Sequence, residues 1–351
     1  MEADRSGATS RRRFLGTAAG ATGVALASVA WRGGEAAAAV PPDATAATRA
    51  EVRSYVAGNY ALVLDGVSAG FVKSVEGGSA VADVIEEAAG PDGFTSKHIG
   101  QVKYEDFRMQ IGFSMSKAVY DWISASWQMN YTRKNGAVVA LDYKLDPKSQ
   151  REFFNALITE TGIPACDGAS KDPAYLTVKF TPEYTSDTMK VSGQFGTAGT
   201  KQQKTWLPSN FRLEIDGLDC TKVSKIDAFT IKQSVTTDDI GDTRDYLKEP
   251  GKLEFPNLKI TLAEVAAQTW YAWHEDFVIK GNNSTDYEKS GRLVFLSSDL
   301  QTTIAQIRFF NLGIFALRTE KSEANSDAIR RVSAELYCER MELQYGGSVV
   351  G

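Results

Sequence analysis

The sequence predicts a mainly β protein with two similar domains in tandem, each a barrel or sandwich of short strands with one helix. Three observations predict this fold. Apolar residues alternate with polar ones in short segments that end at glycine or Asp-Gly, which is typical of strands. One such segment recurs, because residues 59–67 and 210–218 have nearly the same pattern 151 positions apart. Each half also contains one segment with tryptophans at helical spacing.

The repeat extends over most of both halves. Trp122 and Trp273 match at the same separation of 151. Farther along, the separation rises to 156, as one short insertion would cause, and Phe153-Phe154-Asn155 matches Phe309-Phe310-Asn311. We interpret the pattern as a tandem duplication. The alternative is that two β-rich segments merely share alternation, which leaves the matching tryptophan and Phe-Phe-Asn unexplained.

Each half is predicted to contain short strands around one helix. In the first half, strands are expected at 60–65, 71–75, 107–113, 137–145 and 176–184, with a helix at 116–128. In the second half, strands are expected within 210–218 and at 222–226, 258–262, 292–300 and 332–344, with a helix at 263–276. The long segments 77–100 and 230–251 are expected to protrude as hairpins or loops. Long loops at matching places are usually functional, although the sequence does not say what these do.

The predicted helices have apolar stripes that contain four tryptophans. In the first half the stripe is Val119, Trp122, Ile123 and Trp127. In the second half it is Val265, Ala266, Thr269, Trp270 and Trp273. Core packing is the expected role of these tryptophans. A surface on which sugar rings stack is the alternative, and side-chain exposure separates the two.

Residues 1–39 have the pattern of a twin-arginine export signal. The residues that carry it are Arg11, Arg12, Phe14 and Leu15. A mildly apolar, glycine-rich run follows at 16–30, and four alanines at 36–39 are suited to cleavage. We therefore expect export to an extracellular, cell-surface or periplasmic location, with no membrane anchor in the mature form. The alternative is a basic, alanine-rich disordered tail.

The predicted domain organisation follows from these boundaries: a signal at 1–39, a spacer at 40–57, a first domain at 58–192, a linker at 193–206 and a second domain at 207–347. The chain is 43% hydrophobic, which suffices for two ordinary cores. Its three cysteines do not occupy matching positions, so we expect small buried or half-buried side chains and no disulfide framework.

Charge and motifs argue against catalysis and against nucleic-acid binding. The net charge is −5 without a lysine or arginine block, which is unsuited to gripping phosphate backbones. The only histidines are His98 and His274, and no nucleophile elbow, phosphate loop or Cys-x-x-Cys motif occurs. Asp238, Asp239 and Asp242 are a weak calcium candidate without the spacing of a known calcium loop. We predict no enzyme, no cofactor and no metal site, although sequence alone leaves a carboxylate pair for glycoside hydrolysis open.

Several motifs together point to one family. An aromatic-x-aliphatic-x-aliphatic-x-Gly strand opens the second half at 211–217, Trp273 lies in a mid-domain helix, and a Glu-x-Met-x-Leu pattern closes the half at 339–343. In these features each half resembles the tail tube protein of contractile phages, a family shared with phage-like injection particles. The second half fits over nearly all its length. The first departs at Pro182, which is expected to force an edge or a bulge in the closing strand.

The resemblance implies small β-barrels with a flanking helix that join through sheet edges into sixfold rings, which stack through long loops into a hollow tube. Two domains per chain then imply three chains in a ring of pseudo-sixfold symmetry, with six chains as the other arrangement. Partners would be further copies of the chain and other tube, baseplate or cap proteins. The export signal and the duplication depart from the family and favour a secreted relative that forms rings or tubes outside the cell. The alternative is an exported module that binds cell-wall or extracellular glycan.

Overall fold

Short strands make up most of the chain in the computed structural model, which describes residues 58–88, 93–189, 206–238, 247–321 and 327–346. The strands of the first half are β1 (Asn59–Leu64), β2 (Val67–Val72), β3 (Ser74–Gly77), β4 (Ala80–Glu87), β5 (Ser96–Tyr104), β6 (Phe107–Ile111), β7 (Lys134–Leu141), β8 (Pro147–Ile163), β9 (Cys166–Asp167), β10 (Leu176–Thr181) and β11 (Tyr184–Met189), with helix α1 (Lys117–Trp127) after β6. The strands of the second half are β12 (Phe211–Ile215), β13 (Val223–Ile226), β14 (Phe229–Asp238), β15 (Leu247–Glu254), β16 (Leu258–Ala263), β17 (Lys289–Leu296), β18 (Thr303–Thr319) and β19 (Arg331–Tyr345), with helix α2 (Gln268–His274) after β16. The prediction of a mainly β fold is confirmed.

The main sheets of the two halves have the same strand order. The first runs β2-β1-β7-β8-β10-β6-β3, and the second runs β12-β17-β18-β19-β16-β13 with β9 at its end. The register also corresponds. Met109 of β6 lies opposite Val75 and Val178, and Ile260 of β16 lies opposite Ile226 and Ala334, at the separations of 151 and 156 found in the sequence. Each sheet alternates buried and exposed side chains, as in β6, and so has one core face and one polar face.

One apolar core serves both halves. Buried residues of the two sheets belong to one continuous cluster, so the two separate cores that the composition suggested are not seen. Phe113 of the first half packs on Phe295 of the second with 5.1 Å between ring centroids. Tyr120 of α1 stacks on Tyr345 of β19 at 4.2 Å, and burial raises the pKa of the Tyr120 hydroxyl far above its ordinary value. Trp206, the last residue of the predicted linker, is also buried in this cluster.

The two helices differ in regularity. Helix α1 forms close to its predicted bounds and buries its whole apolar stripe. In the second half, a 3₁₀ turn (Glu264–Ala266), α2 and a π-helical turn (Glu275–Ile279) replace the single predicted helix. The change of helical pitch rotates the first turn, so Val265 is 85% exposed and its predicted place in the buried stripe is wrong. None of the described helices is long and apolar enough to cross a membrane.

Two strand predictions are modified by local geometry. The strand expected at 71–75 is two strands, because Lys73 separates β2, which pairs with β1, from β3, which pairs with β6. Pro182 interrupts the closing strand of the first half between β10 and β11, as its missing N–H predicts. The counterpart β19 has no proline and runs unbroken for 15 residues. The cysteines are free, with Cys166 and Cys338 buried and Cys220 half-buried, as predicted.

Candidate assembly interface

A hairpin of the second half extends the sheet of the first half. Strand β14 pairs antiparallel with the end of β8, with Phe229 opposite Ile163 and Ile231 opposite Thr161. On its other edge the same part of β8 pairs with β10. Strand β15 pairs in turn with β14, so the β14–β15 hairpin lies outside β8 as two added strands. We call this arrangement the internal joint.

The internal joint has an apolar side and a polar side. Phe229 and Ile231 point into the common core and are 6% and 2% exposed. The opposite face is an open groove whose charged lining residues carry both signs: Asp106, Glu160, Lys179, Lys232, Lys248, Lys252 and Glu254. Within it, the Lys179 ammonium lies 3.0 Å from Asp106, and this hydrogen bond raises the pKa of Lys179 above its ordinary value. Mixed charge on this face gives it no strong attraction for a polyanion.

A buried carboxylate fastens the hairpin to the first half. Glu183 is 7% exposed and accepts hydrogen bonds from the side-chain amide of Asn155 at 2.6 Å and from the backbone N–H of Lys248 at 3.3 Å. The guanidinium of Arg133 lies 3.8 Å from Glu183 and also donates to the backbone oxygen of Lys248 at 2.7 Å and to Glu249 at 2.9 Å. Removing either partner of such a pair is costly, because the remaining charge or donor stays buried without its partner.

Helix α1 contributes further contacts to the internal joint. Ser126, in its last turn, donates its hydroxyl to the Gln233 side-chain oxygen of β14 at 2.9 Å, and both residues are buried. The Gln233 amide nitrogen is buried and has no hydrogen-bond partner in the described part of the chain. Tyr131 donates to the backbone oxygen of Gly251 in β15 at 3.4 Å. The hairpin therefore contacts β8, Glu183 and the end of α1.

The tryptophans of the predicted stripes lie in the core. Their exposed fractions are 3% for Trp122, 2% for Trp127, 0% for Trp270 and 7% for Trp273. Three of the indole nitrogens have hydrogen-bond partners: Trp122 donates to Thr132, Trp127 to Thr161 and Trp270 to Asp219. The prediction of core packing is confirmed. A sugar-stacking surface built from these side chains is excluded.

The remaining predicted site residues do not form a chemical centre among the described residues. Arg11, Arg12, Phe14 and Leu15 lie outside those residues, as do Asp239 and Asp242. In the described ranges, no group of three or more histidine, cysteine or acidic side chains is arranged to hold a metal ion. His98 is exposed on β5, with its ring nitrogen 3.4 Å from Glu87. His274 is the last residue of α2 in the second half, whereas His98 lies in the first half.

The residues of the internal joint were missed by sequence analysis. The segment at 230–251 was predicted to protrude, but no strand was predicted at 147–163, where β8 lies. Strand alternation also does not state which strand edge receives a neighbour, because backbone groups form that contact. The buried charge of Glu183 also leaves no sequence signal. Glu183 directly follows Pro182, and its burial is visible only once β15 is seen to cover it through Lys248.

Residues 56–186 match the family model of the T4-like virus tail tube protein gp19. The chain carries a tail tube domain. This match covers the first half, and the fold of this tail tube domain agrees with the strands and helix that the sequence predicts. A comparison with curated proteins found no match.

Three solved structures are each similar to part of this chain. The sheath-tube complex of an extracellular contractile injection system in the extended state is 21% identical, covers 40% of this chain and 95% of that chain, and has a TM-score of 0.35. The tube terminating cap of the anti-feeding prophage is 20% identical, covers 41% and 99%, and also scores 0.35. Hcp1 from Flavobacterium johnsoniae is 12% identical, covers 39% and 96%, and scores 0.23. The identities and TM-scores of these structures are too low to support the family assignment, which rests on the sequence match alone.

Proposed function

We propose that this protein is an exported structural protein that assembles with copies of itself into rings or tubes. Each chain would supply two tube-like domains, so three chains would form a ring of pseudo-sixfold symmetry. The observation that carries the proposal is the internal joint, in which a hairpin of one half extends the sheet of the other. A sheet edge that accepts a neighbour in this way is a means of building assemblies.

Correspondence between the halves supports a duplication, and therefore two equivalent ring positions per chain. Six strands follow the same order in both halves. Non-glycine residues with left-handed backbones also recur, since Leu145 and Asn155 correspond to Leu300 and Asn311. Such conformations are uncommon, so their recurrence at separations of 155 and 156 favours a repeated fold over general β alternation.

Assembly symmetry follows from the direction of the internal joint. The second half gives the hairpin and the first half receives it, so the contact is head-to-tail. Repeating a head-to-tail contact between chains gives a closed ring if the rotation closes and an open filament if it does not. The family match supports the ring.

Location and partners extend the proposal. The twin-arginine pattern at 1–39 supports export of the folded chain to an extracellular, cell-surface or periplasmic site. The related structures include a tube terminating cap and a baseplate of the anti-feeding prophage, and on that basis cap and baseplate proteins are proposed as partners beside further copies. No catalytic role is proposed for the chain.

Electron microscopy of negatively stained mature protein, beginning at Val40, tests the assembly. Samples at several concentrations are expected to show rings with a central hole or stacked tubes, and class averages would distinguish three chains from six. Single compact particles at every concentration, with one-chain mass in analytical ultracentrifugation, would contradict the proposal.

Export is tested separately with variants of the signal. Replacing Arg11 and Arg12 with lysine is expected to leave the precursor in the cytoplasm, whereas replacing Arg5 with lysine is expected to leave export unchanged. Fractionation followed by immunoblotting measures both. Equal export of the two variants would exclude the twin-arginine route.

A further inference from the structure

The second half has a strand edge that lacks the partner its counterpart has. Residues 160–163 of β8 pair with β14. The corresponding residues of β18 are 316–319, which pair with β19 on one edge, while β17 pairs with β18 only as far as Leu312. Among the described residues, no strand pairs with the other edge of β18 after Leu312. We call residues 313–319 the open edge.

The first half has a hairpin that matches the one in the internal joint. Shifting by 151 residues places β4 and β5 on β14 and β15, with Gly100 on Gly251. In the part of the chain that the structure describes, β4 and β5 pair only with each other. Every residue of β4 is exposed, including the apolar side chains Val81, Val84 and Ile85, and Ile99 of β5 is 75% exposed. In the matching hairpin of the second half, the counterparts of Val84 and Ile99 are Val235 and Pro250, which are half-buried.

Exposed apolar side chains also surround the open edge. Phe315 on β18 is 42% exposed, and Val278 and Ile279 on the adjoining π-helical turn are 43% and 71% exposed. Trp127, the counterpart of Val278 at a separation of 151, lies beside the internal joint and is only 2% exposed. Exposed apolar patches often mark interaction surfaces. The patches on the β4–β5 hairpin and around the open edge are therefore expected to cover each other in an assembly.

A lysine backbone N–H and a glutamate carboxylate occupy corresponding positions in the two joints. In the internal joint, Lys248 donates its backbone N–H to the buried Glu183. Their counterparts are Lys97 and Glu339, at separations of 151 and 156. Glu339 is exposed and has no hydrogen bond or salt bridge to a described residue. Lys97 pairs with the exposed Glu86 at 2.6 Å, a contact that costs little to exchange.

We propose that the β4–β5 hairpin of one chain adds to the open edge of β18 in a second copy, repeating the internal joint between chains. The internal register then predicts the register between chains. Within the chain, Ile231 lies opposite Thr161. Between chains, Ala80 is therefore expected opposite Leu317 of the second copy, with Lys97 close to Glu339 of that copy. This inference rests on the proposed self-assembly and identifies the two surfaces that meet. In a closed ring, every such hairpin would then pair with one strand edge and every such edge with one hairpin.

Cysteine cross-linking tests the register. A chain carrying both Ala80→Cys and Leu317→Cys is expected, on mild oxidation, to form covalent dimers and trimers in a denaturing gel. An equal mixture of the two single variants is expected to stop at dimers. A chain carrying Val67→Cys and Leu317→Cys is the mismatched control and is expected to remain monomeric, because Val67 belongs to neither surface. Cross-linking of the control to the same extent would overturn the register.

Surface variants test whether the contact drives assembly. Val84→Glu and Ile99→Glu change side chains that are 62% and 75% exposed, so the fold of the single chain is expected to persist by circular dichroism. Assembly is expected to require about tenfold more protein, because buried apolar contacts at an interface are replaced by unpaired charge. Val67→Glu, at a site 67% exposed, is the matched control and should assemble as wild type.

Variants of Glu339 test the carboxylate. Glu339→Lys is expected to weaken assembly, because it removes the acceptor for the backbone N–H of Lys97, whereas Glu339→Gln keeps an acceptor and is expected to assemble nearly as wild type. If wild-type protein assembles while the Val84, Ile99 and Glu339→Lys variants assemble equally well, this joint is wrong and the proposed function stands. If wild-type protein never assembles, the proposed function itself fails.

Discussion

Asn155 and Asn311 have the same unusual conformation at corresponding points of β8 and β18. Their φ angles are 51° and 56°, and each donates its side-chain amide to a glutamate at 2.6 Å. The glutamates differ, since Asn155 binds Glu183 and Asn311 binds Glu288. Asparagine tolerates the left-handed region better than other residues with a Cβ. The repeated Phe-Phe-Asn therefore specifies a backbone kink within each long strand, at the place where the strand passes from one neighbour to the next.

Replacing either asparagine with alanine is expected to lower the free energy of unfolding by about 1–3 kcal/mol, because the left-handed backbone is penalised and a hydrogen bond is lost. Asn155→Gly and Asn311→Gly keep the conformation accessible and should cost less than the alanine variants. Urea unfolding followed by tryptophan fluorescence measures all four. Glycine variants that are less stable than the alanine variants would show that the backbone conformation is not the constraint.

Trp122 and Trp273 are counterparts that differ in one hydrogen bond. The Trp122 indole donates to the backbone oxygen of Thr132 at 2.9 Å, whereas the buried indole nitrogen of Trp273 has no partner among the described residues. Trp122→Phe should therefore destabilise the fold more than Trp273→Phe, by about 0.5–1.5 kcal/mol, since both lose similar volume and only one loses a hydrogen bond. Equal losses in the free energy of unfolding would show that volume alone decides. Lys289, 5.4 Å above the Trp273 ring, makes Lys289→Met a useful control for the cation–π contact.

Asp299 predicts a dependence of stability on acid pH. In the turn between β17 and β18, its carboxylate accepts hydrogen bonds from the Thr302 hydroxyl at 2.6 Å and from the backbone N–H groups of Gln301 and Thr302 at 2.9 Å. These bonds, the Thr302 hydroxyl first, lower the pKa of Asp299 to about 2. Because this value lies below the unfolded pKa of about 3.9, the carboxylate stabilises the folded state above pH 4. That contribution is lost as the pH falls through about 2.

Carboxyl-carbon NMR titration measures the pKa directly. Thr302→Val removes the largest cause and is expected to raise the pKa of Asp299 toward its ordinary value. Asp299→Asn is expected to lose the part of the acid dependence between pH 4 and 2 that this group supplies. A wild-type pKa of Asp299 near 4 would show that the turn hydrogen bonds do not persist in solution.

The sequence predicts the strands and their equivalence better than it predicts which strands meet. Alternation identified β6 and β16 because one face of each is buried, and Trp122 and Trp273, 151 residues apart, lie on the helices that follow these two strands. The shared core was not predicted, since composition counts apolar residues without saying where they meet. The addition of β14 to β8 was also missed, because an edge contact made by backbone groups does not depend on a particular residue type. Val265 was misplaced because the sequence shows spacing but not a change from 3₁₀ to α pitch.

Glu183 predicts how strongly the internal joint depends on one buried charge. Glu183→Leu removes the acceptor for the Asn155 amide and for the backbone N–H of Lys248, and it leaves Arg133 without its buried partner. The expected loss in the free energy of unfolding is about 1–3 kcal/mol, with earlier protease cleavage in the β14–β15 hairpin, because the donors stay buried and unpaired. Glu339→Leu is the matched control, since its exposed counterpart carboxylate has no described partner, and should leave the stability of the single chain unchanged. Equal stability of the two variants would show that the hairpin is held by its backbone pairing and by Phe229 and Ile231, and not by the carboxylate.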